Sequence, residues 1–66
     1  MRIKYDSARD VVRIYLSDSK ISESDEVAGG VIIDYDASEN IIAIEILDAS
    51  KRVGELEKFA VEFVKV

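Results

Sequence analysis

The chain contains no cysteine and no histidine among its 66 residues. Without cysteine it forms no disulfide and has no thiolate chemistry, so a reducing cytoplasm is the expected location. Without histidine it lacks the commonest general base and the commonest transition-metal ligand. The N-terminus becomes polar at once and no apolar run could cross a bilayer, so we expect neither a signal peptide nor a membrane segment.

Basic residues are also few, since 9 Lys and Arg stand against 14 Asp and Glu, a formal charge of −5. Phosphate backbones and anionic lipids repel such a domain, so we expect no nucleic-acid or membrane partner, whereas a basic protein would suit it. The hydrophobic share of 48% excludes disorder, and it is a large proportion of apolar residues for so short a chain to bury in its own core. The composition predicts a single domain over residues 1–66 that associates with its own copies, most simply as a dimer.

The segment at about residues 2–17 recurs, shifted by 30 positions, at about 31–47. Five pairs of residues are identical between the copies: Ile3 and Ile33, Tyr5 and Tyr35, Asp6 and Asp36, Ile14 and Ile44, Asp18 and Asp48. Each copy has two runs of alternating, β-branched residues around a polar loop, which predicts a β-hairpin. The sequence therefore predicts a duplicated ββ unit.

Residue parity predicts the register of both hairpins, because the apolar residues of paired strands must share one face. In the first hairpin the rule pairs Tyr5 with Val12 and Ile3 with Ile14, around the loop Ser7–Asp10. In the second it pairs Tyr35 with Ile42, Ile33 with Ile44 and Val31 with Ile46, around the loop Ala37–Asn40. The last loop residues, Asp10 and Asn40, both tolerate the left-handed conformation that such loops often need.

The remaining segments are less regular. Ser22–Glu26 is predicted to be a solvated connection, with a short edge strand at about 21–27 as the alternative, and Gly29 and Gly30 permit a sharp turn after it. At about 49–66, a helix competes with a β-rich alternation. We favour a two-turn helix, capped by Asp48 or Ser50, followed by a last strand, over one helix to about Val64.

Together these elements predict an α+β fold. It is an antiparallel sheet of four to five strands built from two repeated hairpins, with one short C-terminal helix packed on its apolar face. The opposite face would carry apolar residues among its charges, unlike a sheet with one solvated face. Those residues are Val11, Tyr15, Ile32, Ile41, Ala43 and Leu47. Apolar residues on both faces predict self-association or a partner.

Residues of the second hairpin have the spacing of a calcium loop. Asp34, Asp36, Ser38, Asn40 and Glu45 fit positions 1, 3, 5, 7 and 12 of an EF-hand. However, Glu39 replaces the glycine of position 6, and the flanking sequences are strands rather than helices. We favour a polar turn, and we predict no metal ligand and no cofactor.

Charged residues suggest one further hypothesis. Arg2, Lys4 and Arg13 of the first hairpin would share the outer face with Asp34 and Glu45 of the second, so that two subunits could pair them. Solvated surface charges are the simpler alternative. Neither the carboxylates nor the serines have a visible activating partner in a concave site, so no catalytic residue and no enzyme activity are predicted.

Three runs, Tyr5–Leu16, Gly30–Asp36 and Ile41–Ser50, resemble family 2283 of the domains of unknown function, a set of small prokaryotic proteins. The resemblance covers about residues 1–52, and members often carry Gly where this chain has Glu39 and Ala43. It implies no catalytic or binding residue, but the toxin–antitoxin character of genes beside some relatives implies a protein partner. We expect a non-enzymatic interaction module that self-associates and binds a basic partner in an antitoxin-like way; the alternative is a small-ligand or metal-binding domain.

Overall fold

A computed structural model describes residues 1–65 of the chain. Five strands form one antiparallel sheet in the order β1-β2-β5-β4-β3. The elements are β1 (Arg2–Asp6), β2 (Val11–Tyr15), β3 (Glu23–Ala28), β4 (Val31–Tyr35), β5 (Ile41–Leu47) and α1 (Ala49–Arg52). The predicted α+β fold is confirmed, and the two repeated hairpins, β1–β2 and β4–β5, lie side by side through the pairing of β2 with β5.

The first hairpin has the predicted register. Tyr5 stands opposite Val12 and Ile3 opposite Ile14. Asp10 ends the loop with φ 56°, the left-handed conformation expected for it. Residue parity alone predicts this register because one face of the hairpin is apolar on both strands.

The second hairpin departs from the predicted register at its loop. Val31 pairs with Ile46 and Ile33 with Ile44, as expected, but Tyr35 stands opposite Ile41 rather than Ile42. The shift is a β-bulge, in which β5 has one extra residue. The carbonyl of Ile42 accepts the amides of Leu16 and Ser17, at 2.9 and 3.3 Å, and is thereby held toward the chain leaving β2.

The bulge also moves the left-handed residue of the second loop, which is Glu39 (φ 66°) and not Asn40. The two loops nevertheless keep one device in common. Asp6 Oδ1 accepts the amides of Ala8 and Arg9 at 3.1 Å, and the equivalent Asp36 accepts amides of its own loop. Each loop therefore begins with an aspartate that binds the turn backbone, as Asp commonly does.

The acidic segment between the repeats forms the edge strand β3, the alternative to a solvated connection. It pairs with β4, and every one of its residues is exposed. Gly30 makes the turn between β3 and β4 with φ 75°. An edge strand rich in charge resists unwanted pairing with other chains, which accounts for its acidic composition.

The predicted C-terminal elements were wrong in extent. Helix α1 has only four residues, and the chain from Val53 to Lys65 has neither helix nor strand; Val66, where the predicted last strand would end, lies outside the described residues. Val53 adopts an extended conformation, and Gly54 follows it, so the helix ends there. Asp48, at the N-cap position, has φ 51° and makes no side-chain capping bond.

The sheet is a slab with principal extents of 35 × 33 × 19 Å. Four hydrophobic residues of the described chain are buried: Val12, Ile42, Ala43 and Ala49. No large side chain among residues 1–65 is fully buried. A single sheet of this size has two large faces and little interior.

Candidate functional site

One side of the sheet is an apolar face. By register it carries Ile3, Tyr5, Val12, Ile14, Val31, Ile33, Ile44 and Ile46. The C-terminal segment (residues 53–65) crosses part of it: Val53, Leu56 and Phe59 line one depression together with residues of β1, β2 and the end of β5. Since Val31 and Ile33 of β4 do not line that depression and are only half-buried, the β4 side of the apolar face stays open.

The opposite side is a charged face centred on a buried ion pair. Arg13 on β2 donates a hydrogen bond of 2.7 Å to Asp34 on β4, across the intervening β5. Asp34 is only 4% exposed and also accepts the hydroxyl of Ser24, at 2.5 Å. Ala43 stands opposite Asp34 on β5, and its small side chain leaves room for the arginine to cross. A buried carboxylate needs such partners because desolvation otherwise penalises its charge.

Arg13 also interacts with the side chains of Glu45 and Tyr15. Its guanidinium lies 4.0 Å from the Glu45 carboxylate and 5.0 Å from the ring centre of Tyr15. Arg2 also lies over this ring, at 4.2 Å from its centre. Of the charges in the two-subunit hypothesis, Arg13, Asp34 and Glu45 interact with one another within one chain. These three charges do not need a second subunit to be paired.

The calcium-loop residues do not converge in space. Asp34 faces Arg13, whereas Asp36 accepts two backbone amides and the side-chain amide of Asn40. The amide hydrogen bonds from Asn40, first from its backbone and then from its side chain, lower the pKa of Asp36 below its ordinary value. Within residues 1–65 no three potential ligands among Asp, Glu, His and Cys are grouped to hold a metal ion.

A third cluster fastens α1 to the first hairpin. Asp10 accepts the hydroxyl of Ser50 at 2.6 Å and its amide at 2.9 Å, while the backbone carbonyl of Asp10 accepts the amide of Ala49. Tyr5 donates its hydroxyl to the same carboxylate at 2.8 Å. Asp10 therefore caps a helix that begins 39 residues later, a role predicted for Asp48 or Ser50. Its hydrogen bonds to Ser50 lower the pKa of Asp10, and the bond to Asp10 raises the pKa of Tyr5.

The other end of α1 is also fixed. Arg52 donates a hydrogen bond to the carbonyl of Gly29 in the β3–β4 turn. The amide of Leu47 binds the carbonyl of Gly30 in the same turn, at 2.8 Å. The helix thus ties the two turns at one end of the sheet together, and does not cover the apolar face as predicted.

These observations define an open α+β sheet with an apolar face that the described chain only half covers. The model of the family described as "Protein of unknown function (DUF2283)" matches residues 2–50. The chain belongs to this family, and the resemblance stated from its hairpin motifs is confirmed. No curated protein and no solved structure matches the chain significantly. In the part of the chain that the structure describes, no helix has the length and apolar character to cross a membrane.

Proposed function

We propose that the protein is a non-enzymatic interaction module that self-associates through its apolar face. The observation that carries the proposal is the amount of exposed surface. The chain exposes 5422 Å², whereas a folded monomer of 7.4 kDa is expected to expose about 4200 Å². The surplus of about 1200 Å² exceeds the roughly 800 Å² that each partner buries in a stable interface.

The nature of the exposed surface supports the same proposal. On the apolar face Ile3 is exposed, and Val31 and Ile33 are half-buried. Burial of such side chains is favourable by about 25 cal/mol per Å². The charged face, by contrast, already satisfies its central charges within the chain. An interface through the apolar face would therefore bury more apolar surface and disturb fewer ion pairs than one through the charged face.

The hydrogen bonds that the carboxylates accept support the proposal that the module is non-enzymatic. Asp10, Asp34 and Asp36 each accept hydrogen bonds from at least two residues, and each is engaged in holding a helix, neighbouring strands or a turn. Acid–base catalysis needs such a group free to exchange a proton with substrate. The proposed role for these residues is structural.

A second candidate function, the binding of a basic partner, is favoured by the β3 edge. Within residues 1–65 no strand pairs with the outer side of β3, and Glu23, Asp25 and Glu26 are exposed along it. An extended basic peptide could add to this edge as a further strand. Titration with a lysine-rich peptide should shift β3 amide resonances, and Asp25→Lys should abolish the shift; unchanged resonances at millimolar peptide would dismiss this candidate.

Sedimentation equilibrium tests self-association, with two variants that are matched in exposure. Ile3, on the apolar face, is 41% exposed, and Ile21, which lines a depression with Tyr15 and Ala43 of the charged face, is 44% exposed. Ile3→Lys should raise the dimer Kd by about tenfold or more, because an ammonium would enter an apolar interface. Ile21→Lys should leave it unchanged. Equal effects of the two substitutions would contradict an interface on the apolar face.

A further inference from the structure

Among the described residues, the apolar side chains after Phe59 are exposed to solvent. The terminal stretch (residues 60–64) includes Val61, Phe63 and Val64, which are 58%, 94% and 81% exposed. Among the described residues, the last backbone hydrogen bond of the C-terminal segment joins the amide of Lys58 to the carbonyl of Glu55, so none joins the terminal stretch to the sheet. Large apolar side chains at such exposure mark a surface that awaits a partner.

The open part of the apolar face has a suitable shape for this stretch. Val31 and Ile33 of β4, with Ile44 of β5 opposite Ile33, form an apolar strip whose residues do not line the depression that Val53, Leu56 and Phe59 line. Five extended residues span about 17 Å, the length of a five-residue strand such as β4. In an extended stretch, Val61 and Phe63 would share one side and could lie along the strip.

The charges beside the strip are complementary to the lysines near the terminal stretch. Asp25 of β3 stands opposite Ile33 of β4, so its side chain lies on the apolar-face side of the β3 edge. Lys58 lies two residues before the terminal stretch and Lys65 directly follows it. A stretch with lysines near both ends, lying next to an acidic edge, gains favourable charge pairs in addition to apolar burial.

We propose that two copies exchange their terminal stretches, with residues 60–64 of each chain lying on the Val31–Ile33–Ile44 strip of the other. This inference rests on the proposed self-association and specifies its contacts. The exchange is reciprocal, as a two-fold dimer requires. It covers the exposed apolar residues of each terminal stretch with the half-buried strip of the other chain, and it uses the surplus surface that a dimer of standard size would bury.

Site-directed cross-linking tests the exchange, because a chain without cysteine gives introduced thiols no competitors. A Phe63→Cys chain is mixed with an isotopically labelled Ile33→Cys chain, oxidised, and analysed by mass spectrometry. The control replaces Ile33→Cys by Lys4→Cys, which is on the charged face. The first mixture should give several-fold more labelled–unlabelled disulfide than the control.

A second measurement uses Phe63, which is 94% exposed, so that its substitution should leave the monomer intact. Phe63→Ser should raise the dimer Kd by about tenfold or more, because each copy loses a buried phenyl group, while Ile21→Ser should not change it. If the wild-type chain dimerises but both the disulfide preference and the Phe63→Ser effect are missing, the exchange is wrong and the proposed function stands.

Two further results would overturn the exchange in other ways. A disulfide that forms only within a chain carrying both Phe63→Cys and Ile33→Cys would show that the stretch covers its own sheet. A wild-type chain that stays monomeric at all concentrations would reject the exchange and the proposed self-association together.

Discussion

Replacing Arg13 by methionine tests the buried ion pair on the charged face. The substitution keeps the aliphatic stem but leaves the carboxylate of Asp34, 4% exposed, without its cation. An uncompensated buried charge costs about 3–5 kcal/mol. The Arg13 side chain is 29% exposed and its buried Nε has no hydrogen-bond partner, so water and the loss of that group offset part of the cost. We expect a loss of about 2–3 kcal/mol in the free energy of unfolding.

Urea denaturation at one fixed protein concentration measures this loss, since association would otherwise contribute to stability. The matched control is Lys4→Met, because Lys4 stands directly opposite Arg13 on β1 and is exposed. It should change stability by less than about 0.5 kcal/mol.

A double-mutant cycle then isolates the pair. In the Asp34→Asn background the buried charge is absent, so Arg13→Met should cost at least about 1.5 kcal/mol less than in the wild-type chain. An Arg13→Met loss no greater than that of Lys4→Met, with no coupling to Asp34, would refute the reasoning.

Three further predictions concern the ends of the sheet. Asp10→Asn, which suits the left-handed backbone, should lower stability near neutral pH. Because the folded pKa of Asp10 is depressed, its contribution is present above about pH 4 and is lost as pH falls through the folded pKa, so the wild-type advantage should shrink on acidification; a constant difference would contradict this. Tyr5 should ionise at a lower pH in the same variant, as absorbance titration would show, because its pKa is raised by Asp10. Gly30→Ala should cost about 1–2 kcal/mol, since φ is 75° and the new Cβ would lie 2.9 Å from an arginine side chain, whereas Gly29→Ala, with open space around it, should cost less than half as much. Calcium at millimolar concentration should leave tyrosine fluorescence unchanged, and a saturable change would contradict the placement of the loop aspartates.

The hairpins could be predicted from the sequence because their order is local. Alternation fixes which residues share a face, and parity then fixes the register, as Tyr5 opposite Val12 shows. The bulge at Ile42 could not be predicted in this way, since it depends on amides donated by Leu16 and Ser17 from outside the hairpin.

The interactions that join distant segments could not be predicted from the local sequence pattern either. Arg13 reaches Asp34 only because β5 lies between β2 and β4, and the strand order is not encoded in any local pattern. The cap of α1 comes from Asp10, so a search near Asp48 could not find it. One signal did point to Asp10: an aspartate at a left-handed loop position is a residue whose side chain can bind backbone groups.

The central claim is that a second copy covers the apolar face, and the native mass of the wild-type chain tests it most directly. Sedimentation equilibrium over micromolar to millimolar concentrations should show the mass rising from 7.4 kDa toward twice that value. The rise should persist in high salt, because apolar burial is not screened as charge pairs are. A mass of 7.4 kDa at every concentration would contradict the account.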